Sequence, residues 1–191
     1  MLMTKKRCWG KENTLMALYH DEEWGNPEHD ETRLYEFLML EGVQAGLSWQ
    51  TILNRRENYR IAFDQFDYRK IALYGEHKIN LLLNDKGIIR NKLKINAAIT
   101  NAKAFIKIQE EIGSFDSYIW SFVNYKPIMN KYKEFKEVPS KTELSETISK
   151  DLKKKGFKFV GPTIMYAFMQ AIGMVNDHLI HCYRYQEINE K

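Results

Sequence analysis

The helix that decides the fold ends in residues 40–49, which run Leu-Glu-Gly-Val-Gln-Ala-Gly-Leu-Ser-Trp. Its apolar positions Leu34, Leu38 and Ala45 recur at helical spacing, and Glu41 lies in the same row. A carboxylate on the buried row of a helix costs free energy unless a partner or a cavity compensates it. Glu41 is therefore either a solvated side chain at the edge of the row or a polar anchor at the floor of an aromatic pocket.

The composition fits a single globular domain over residues 1–191. Apolar residues make up 44% of the chain and charged residues 28%, and the net charge of +4 permits a polyanionic partner without requiring one. No apolar run approaches the roughly 18 residues of a membrane helix, and the first residues lack the apolar core of a signal peptide. We therefore expect a cytoplasmic protein, in which a disulfide between Cys8 and Cys182 would be unfavourable.

Helical periodicity dominates the chain and predicts an all-α fold. Residues 125–141 are predicted to form a connecting loop, and the weak alternation over 131–138 has no partner strand. The predicted helices begin near Thr14 and at the N-cap residue Asp30, and then cover Thr51–Asp64, Tyr68–Tyr74, Glu76–Asn84, Lys92–Glu111, Phe115–Asn124, Ser145–Lys155 and Thr163–Ile172.

Two cysteines and two histidines lie near the ends of the chain, Cys8 and His20 at the start and His178 and Cys182 at the finish. On a helical turn the last two side chains would lean to one side, because they are four residues apart. Two thiolates and two imidazoles are the ligand set of a tetrahedral structural zinc site with no open position for chemistry. The long separation gives no compact signature, so inert thiols with ordinary histidines are an alternative, and His181 competes as a ligand.

A turn bracketed by glycines joins the two predicted helices within residues 145–172. Glycine lets the backbone approach a phosphate closely, the following helix offers free N–H groups, and Lys158 and its neighbours add positive charge. Such a hairpin would hold the DNA backbone without selecting a sequence, because phosphate contacts position a protein and base contacts specify. A plain turn with solvated lysines is the alternative.

Further distinctive stretches are Tyr19-His20-Asp21, Glu23-Trp24-Gly25, Arg56-Glu57-Asn58-Tyr59, Gly87-Ile88-Ile89-Arg90, Trp120-Ser121-Phe122-Val123-Asn124, Gly156-Phe157-Lys158-Phe159-Val160-Gly161 and Asn176-Asp177-His178. Together with residues 40–49, these stretches resemble the type I bacterial 3-methyladenine DNA glycosylases. The resemblance runs from about Cys8 to Cys182, which is nearly the whole chain.

The resemblance implies a helix-hairpin-helix DNA glycosylase fold and the activity of a DNA-3-methyladenine glycosylase I in base excision repair. Such an enzyme flips 3-methyladenine out of alkylated duplex DNA, hydrolyses its N-glycosidic bond and leaves an abasic site. No lysine stands out as a Schiff-base nucleophile, so strand cleavage is not expected. We expect a monomer with structural zinc and no membrane association.

Carried over residue by residue, the resemblance implies three groups of functional side chains. The zinc ligands, which would join the N- and C-terminal segments, are Cys8, His20, His178 and Cys182. The catalytic residue would be Glu41, and the base pocket would contain Glu41 with Tyr19, Trp49 and Trp24. The DNA contacts would come from Leu47, which would fill the gap left by the flipped nucleotide, and from Gly156, Lys158, Gly161 and Thr163.

The chain departs from the family pattern at two positions near the expected pocket. The family has Cys-Gly-Trp where this chain has Cys8-Trp9-Gly10, so a pocket role for Trp9 is not predicted. Met16 stands where an aromatic residue is expected. Asp177 lies closer to the hairpin than the aspartate that many helix-hairpin-helix glycosylases use, and it is interpreted as structural.

Two other functions fit some of these features. A zinc-stapled DNA-binding module without catalysis would use the hairpin, but it would leave Glu41 and its aromatic neighbours unexplained. A nucleosidase would use the aromatic pocket on free nucleosides rather than on duplex DNA.

Overall fold

The computed structural model of the protein describes residues 6–189 and is built mainly of helices. None of the described helices is long and apolar enough to cross a membrane. The helices are α1 (Leu15–Glu22), α2 (Glu31–Gln44), α3 (Trp49–Leu53), α4 (Arg56–Ala62), α5 (Tyr68–Ile71), α6 (Glu76–Asn84), α7 (Lys92–Ile112), α8 (Phe115–Ser121), α9 (Glu143–Lys154), α10 (Pro162–Ala171) and α11 (Tyr183–Asn189). Short 3-10 turns cover Asp64–Phe66 and Phe135–Glu137, and the strands are β1 (Ile128–Met129) and β2 (Val175–Asn176).

Helix α2 runs through the interior of the molecule. Asp30 caps its N-terminus, as predicted, by accepting a hydrogen bond from the backbone N–H of Arg33 at 2.9 Å. Every residue from Leu34 to Val43 is buried, so the helix is enclosed on all sides. Helices α7 and α10 pack against it. The two carboxylates that α2 carries in this stretch must therefore be accommodated inside the protein.

The single helix predicted over 51–64 is wrong, because the chain forms two helices there. Ser48 starts α3 at Trp49 by accepting a hydrogen bond from the backbone N–H of Thr51 at 3.2 Å. The chain then turns, and α4 begins at Arg56. Helix α8 likewise stops three residues short of its predicted end, because residues 124 and 125 adopt left-handed backbone conformations.

One pair of two-residue strands interrupts the helical pattern. Strands β1 and β2 pair in parallel, and the backbone N–H of Ile128 donates to the carbonyl of Met174 at 2.9 Å. The weakly alternating residues 131–138 form no strand and contain a 3-10 turn instead. The strand pair attaches the long connection between α8 and α9 to the segment after α10, in a fold that is otherwise helical in the described part of the chain.

A buried ion-pair network joins α2 and α4 to the segment that leaves α1. Glu36 of α2 accepts hydrogen bonds from Arg33 at 2.6 Å, from Arg56 at 2.7 Å and from Arg60 at 3.0 Å. Arg56 also pairs with Glu23 at 2.8 Å, just beyond the end of α1. Three guanidinium groups thus compensate the buried carboxylate of Glu36, and two of them, those of Arg33 and Arg56, also pair with Glu23 and hold the start of the α1–α2 connection in place.

Gly173 lets this α1–α2 connection pack against the end of α10. Its φ of +73° is left-handed, and a Cβ atom there would lie 2.3 Å from the carbonyl carbon of Asn26. The backbone N–H of Gly25 donates to the carbonyl of Gln170 at 3.0 Å. Any side chain at position 173 would displace the α1–α2 connection. Glycine here therefore also fixes the position of Trp24, which directly precedes Gly25 in this connection.

Helices α9 and α10 form the predicted hairpin, with ends within two residues of the predicted ones. The side chains of Phe157 and Val160 are buried beneath its turn. Ser149 Oγ donates to the carbonyl of Val160 at 2.6 Å. Asn101 of α7 accepts from the backbone N–H of Lys158 at 2.8 Å and donates to the carbonyl of Lys158 at 3.0 Å. Two helices therefore hold the backbone of the hairpin turn, while the side chain of Lys158 stays exposed.

Candidate active site

A cavity of about 220 Å³ is enclosed by residues of α1, α2, α3 and α10 and of the segments flanking α1. The structure brings together the four predicted pocket residues, because Tyr19, Trp24, Glu41 and Trp49 all line this cavity. The lining also includes residues that the sequence did not predict: Trp9, Met16, Gln44, Ala167 and Gln170.

Trp9 is part of the cavity wall, contrary to the expectation from the family pattern. Its ring meets that of Trp24 edge-on, with centroids 5.1 Å apart, and lies 6.1 Å from that of Tyr19. The exchanged order of Trp9 and Gly10 therefore still leaves a tryptophan at the cavity. Gln44 could have been found from the sequence, since it follows Glu41 by three residues on α2 and so shares its face. The α10 residues reach the cavity only through tertiary packing.

Four of the nine residues that line the cavity are aromatic. The rings of Tyr19 and Trp49 lie 5.2 Å apart at an angle of 47°. Ring faces of tyrosine and tryptophan attract both planar aromatic ligands and cations. The cavity therefore suits a flat ring of modest size, and a positive charge on that ring would strengthen binding.

Three polar atoms that line or border this cavity are buried without a hydrogen-bond partner among the described residues. They are Tyr19 OH, Glu41 Oε2 and Trp49 Nε1. Buried polar atoms in folded proteins are nearly always paired, and an unpaired one carries its full desolvation cost. Because all three belong to one cavity, they indicate a ligand that supplies both donors and acceptors there.

The side chain of Glu41 is buried rather than solvated, which excludes the alternative of a flexible glutamate at the edge of the helix. The residue is 4% exposed. Burial raises the pKa of its carboxyl group to about 8. Burial also raises the pKa of Tyr19 well above its usual value, and the nearby Glu41 adds to this effect. In the free protein the neutral acid form of Glu41 is therefore favoured at neutral pH, and a bound cation would favour the carboxylate.

A second cluster lies beside this cavity and could hold a metal ion. The ligand atoms of Cys8, His20, His178 and Cys182 lie within 4.8 Å of one another. The Cys8 and Cys182 sulfur atoms lie 3.2 and 3.3 Å from His20 Nε2, and each lies 3.6 Å from His178 Nδ1. In a tetrahedral site with Zn–S bonds of about 2.3 Å and Zn–N bonds of about 2.0–2.1 Å, sulfur and nitrogen ligands lie about 3.6 Å apart.

The outer nitrogen of each histidine in the cluster has its own partner. His20 Nδ1 lies 2.8 Å from Asp21 Oδ1, and His178 Nε2 lies 2.9 Å from the carbonyl oxygen of Trp24. These contacts orient the remaining nitrogens toward the sulfur atoms, which is the usual arrangement around a metal. Although burial opposes it, hydrogen bonds from Arg7, Tyr183 and His20 hold the pKa of Asp21 well below its usual range.

Residues 178–182 do not form the helical turn that would place His178 and Cys182 on one side by their spacing. The backbone N–H of Cys182 donates to the carbonyl of Leu179 at 2.7 Å, which closes a tight turn, and α11 begins only at Tyr183. This turn still brings His178 and Cys182 to the same cluster. His181 is exposed and lies outside the cluster.

The predicted DNA-contacting residues lie on two exposed loops. Leu47 is 38% exposed and stands between Gln44 and Trp49, both of which line the cavity. The hairpin turn exposes Lys158 and the α10 residue Thr163, while Gly156 and Gly161 have no heavy atom within 4 Å of an added Cβ. Both loops therefore offer accessible backbone and side chains, one of them at the rim of the cavity.

Asp177 is fully engaged in the protein interior. Its carboxylate accepts hydrogen bonds from Asn130 at 2.6 Å and from Tyr166 and Gln170 at 2.7 Å each. Asp177 is also absent from the lining of the cavity. These contacts agree with the structural role predicted for this residue.

Comparisons with known proteins identify the family. The family model for methyladenine glycosylase matches residues 9–185 of this chain. A DNA-3-methyladenine glycosylase of Haemophilus influenzae is 48% identical over 180 residues, which cover 94% of this chain and 97% of that protein. The chain belongs to the methyladenine glycosylase family.

Solved structures show the same architecture. A crystal structure of a 3-methyladenine DNA glycosylase I has a TM-score of 0.90 and 47% identity, covering 93% of this chain and 98% of that one. A Staphylococcus aureus 3-methyladenine DNA glycosylase I, solved to explain 3-methyladenine recognition, has a TM-score of 0.90 and 35% identity, covering 94% and 95% of the two chains. The described helices therefore adopt the fold of this family.

We expect Glu41→Gln to stabilise the free protein more as the pH rises. A carboxyl group whose pKa is raised on folding binds more protons in the folded state, so the wild-type protein loses stability between its unfolded-state pKa and about 8. The amide does not titrate, and its advantage should grow by on the order of 3–5 kcal/mol between about pH 4.5 and about pH 8.5.

Denaturant unfolding of both proteins at several pH values measures this difference. The exposed Glu110, on α7, provides the control, because Glu110→Gln removes a carboxylate that water already solvates. A Glu41→Gln advantage that is the same at all pH values would show that Glu41 is not held in a desolvated site.

Proposed function

We propose that this protein is a monofunctional DNA repair glycosylase that excises 3-methyladenine from alkylated duplex DNA. Family membership supports the reaction class. The single observation that carries the proposal is the buried, unpaired Glu41 carboxyl group in a cavity walled by aromatic rings. A methyl group on N3 makes adenine cationic, and this cavity is suited to a cationic planar ring.

The lesion supplies much of its own reactivity. Positive charge on the base weakens the bond between N9 and C1′ of the deoxyribose. Water adds to C1′ and releases a proton to solvent, 3-methyladenine leaves as a neutral base with the bonding electron pair, and an abasic site remains. The task of the protein is to extract the base from the stack, hold it and exclude normal adenine.

Glu41 is proposed as the residue on which base capture depends. Its carboxylate accepts hydrogen bonds from the base edge and complements the positive charge in a poorly solvated site. Tyr19 and Trp49 stack on the ring, which favours a cation over neutral adenine, and Trp24 completes the wall beside them. A neutral ring offers no charge to offset the desolvation of the carboxylate, so undamaged adenine binds weakly.

The two exposed loops are proposed to hold the DNA. Leu47, at the rim of the cavity, enters the stack and fills the gap left by the flipped nucleotide. Gly156, Lys158, Gly161 and Thr163 of the hairpin bind the phosphate backbone, in a contact that positions the duplex without selecting sequence. Among the described residues no lysine lines the cavity, so no amine is positioned to form a Schiff base and cut the strand.

We further propose that the Cys8–His20–His178–Cys182 cluster binds structural zinc and staples the N- and C-terminal segments of a single domain. The sulfur–nitrogen separations and the outer partners of both histidines fit such an ion. The hydrogen bond between the Cys8 and Cys182 sulfur atoms lowers the pKa of the Cys182 thiol and raises that of the Cys8 thiol, so the free cluster favours one thiolate and a bound metal ion would displace the remaining proton. Bound zinc would supply structural rigidity here, with all four positions filled by protein.

The staple adjoins the cavity. Cys8 precedes Trp9, His20 follows Tyr19, and His178 bonds the carbonyl of Trp24. The metal ligands thus hold three aromatic wall residues through the backbone. We propose that the protein acts as a monomer in the cytoplasm, where a bacterial cell keeps its DNA.

The activity is tested by incubating the protein with N-methylated duplex DNA and separating the released bases by chromatography. We expect free 3-methyladenine, with 7-methylguanine left in the DNA. Glu41→Gln should lower the rate of release by roughly a hundredfold, as losing a preorganised electrostatic group does elsewhere. Glu110→Gln serves as the matched control and should release base at the wild-type rate.

Each rival function predicts a different outcome. Binding to abasic-site DNA without any released base, from a folded and zinc-loaded sample, would indicate a DNA-binding module. Base released from free nucleosides but not from duplex DNA would indicate a nucleosidase. Unchanged turnover by Glu41→Gln would remove Glu41 from the mechanism.

The metal proposal is tested with His178→Ala and the neighbouring control His181→Ala. Elemental analysis should find about one zinc per chain in the wild-type protein and in His181→Ala, and none in His178→Ala, because a tetrahedral site that loses a ligand binds weakly. His178→Ala should also melt at a lower temperature and bind free 3-methyladenine less tightly. Equal zinc content in the two variants, or none in the wild type, would contradict the proposal.

A further inference from the structure

Lys94 of α7 reaches across to the end of α2, where the Leu47 loop begins. Its Nζ donates to the carbonyl of Val43 at 2.7 Å and to the carbonyl of Ala45 at 2.8 Å. The last carbonyl groups of a helix have no partner within the helix and carry partial negative charge. Helix α2 has no basic residue in its own last turn, so Lys94 supplies the cation from another element.

The same face of α7 also holds the hairpin turn. Asn101 lies seven residues beyond Lys94, which is two helical turns and about 10.5 Å along the axis. Its side chain makes two hydrogen bonds to the backbone of Lys158. One rigid helix therefore binds the backbones of both loops proposed to contact DNA.

The hairpin turn also packs directly against α2, at a single glycine. A Cβ atom built at Gly42 would lie 3.4 Å from the Cβ atom of Phe159 in the hairpin turn. Lys94, Gly42, Asn101 and Phe159 line one small cavity between α2, α7 and the hairpin. The hairpin turn therefore packs on α2 one residue after Glu41, and α7 ties both partners together.

We propose that Lys94 is a positioning residue which, with Asn101, fixes the Leu47 loop relative to the hairpin and so sets how efficiently duplex DNA is opened. This inference rests on the proposed function, in which Leu47 enters the base stack and the hairpin holds phosphate. Lys94 does not line the base cavity, so its contribution concerns flipping rather than base binding. Leu47 must keep a fixed position relative to the hairpin. Movement between the two loops would reduce the distortion that binding imposes on the DNA.

The test compares methylated duplex DNA with the same oligonucleotide as a single strand, in which the base need not be flipped out of a duplex. For Lys94→Met we expect kcat/KM on the duplex to fall by about tenfold, which is the size of effect expected when hydrogen bonds to a charged group are lost. On the single strand, kcat/KM should fall by less than about threefold. Affinity for free 3-methyladenine should stay within about twofold of wild type.

Two further variants sharpen the comparison. Lys94→Arg keeps a cation that can donate to both carbonyls, and it should recover most of the duplex activity. Lys103, which is exposed on α7, provides the control, since Lys103→Met removes an equal charge without touching α2. If Lys94→Met melts below the assay temperature, Lys94→Gln can replace it, because it keeps a single amide donor group. We expect this variant to show the same lowered ratio of duplex to single-strand activity.

Three results would overturn the inference. Equal losses on duplex and single strand would mean that Lys94 acts on the base cavity or on folding alone. For Lys94→Met binding to undamaged duplex, a slope of log K against log salt concentration that is smaller by about one unit would mean that Lys94 contacts a phosphate directly. No base released by the wild-type protein from either substrate would overturn the proposed function as well, which separates the two failures.

Discussion

The structure depends on how one buried helix accommodates two carboxylates. Glu36 and Glu41 both lie in the enclosed part of α2, five residues apart. Three arginines compensate Glu36, so this residue contributes to a rigid junction between α2, α4 and the α1–α2 connection. Glu41 has no cation beside it, and its Oε2 has no partner among the described residues. The same helix thus carries one carboxylate that holds the fold together and one whose cost only a ligand can offset.

Under the proposed function, the surroundings of Glu41 make its buried carboxyl group favour a cationic base over a neutral one. Glu41 is buried in the wall of a largely apolar cavity, so a charge on its carboxyl group is stabilised by little except an opposite charge. Under the proposed function, a neutral base leaves the carboxyl group protonated, whereas a cationic base would pair with the carboxylate and stack between the rings. The aromatic walls in turn depend on neighbouring groups, since the Cys and His cluster holds Trp9, Tyr19 and Trp24 from behind. The residues of the Cys and His cluster and the aromatic residues of the cavity wall are therefore neighbours both in sequence and in space.

Part of the candidate site could be predicted because its chemistry departs from ordinary helix patterns. A glutamate in the apolar row of a helix, followed by Leu47 and Trp49, indicated a pocket, whereas Tyr19 and Trp24 were predicted only from the family resemblance. The residues alone left the two cysteines and two histidines open between a metal site and ordinary side chains, and the structure brings their ligand atoms together. Local geometry was harder to predict. The early start of α3 at the Ser48 cap, and the new start of α4 at Arg56, which bonds Glu36, are features that helical periodicity does not register. The turn that brings together His178 and Cys182 is likewise closed by backbone bonds that involve no distinctive side chain.

Contacts made only in three dimensions could not be predicted. Ala167 and Gln170 enter the cavity because α10 crosses α2, and Trp9 does so because the N-terminal segment folds back over α1. Lys94 resembles any exposed lysine of an amphipathic helix, and only the structure shows it bound to the end of α2. Asn101 looks like an ordinary polar residue in the sequence, but in the fold its side chain makes two hydrogen bonds to the backbone of Lys158. Such roles depend on where a backbone carbonyl lies, and side-chain patterns carry no information about that position.

The proposed capture of a cationic base depends on an ionised Glu41 in a desolvated cavity. The pH dependence of kcat/KM on methylated duplex DNA tests it most directly, because this quantity reports the ionisation of the free enzyme. The wild-type profile should rise with pH to a plateau above about 8, where burial places the pKa of Glu41, and the Glu41→Gln profile should lack this rise. A wild-type profile that is flat across this range, or that matches the shape of the Glu41→Gln profile, would contradict the account.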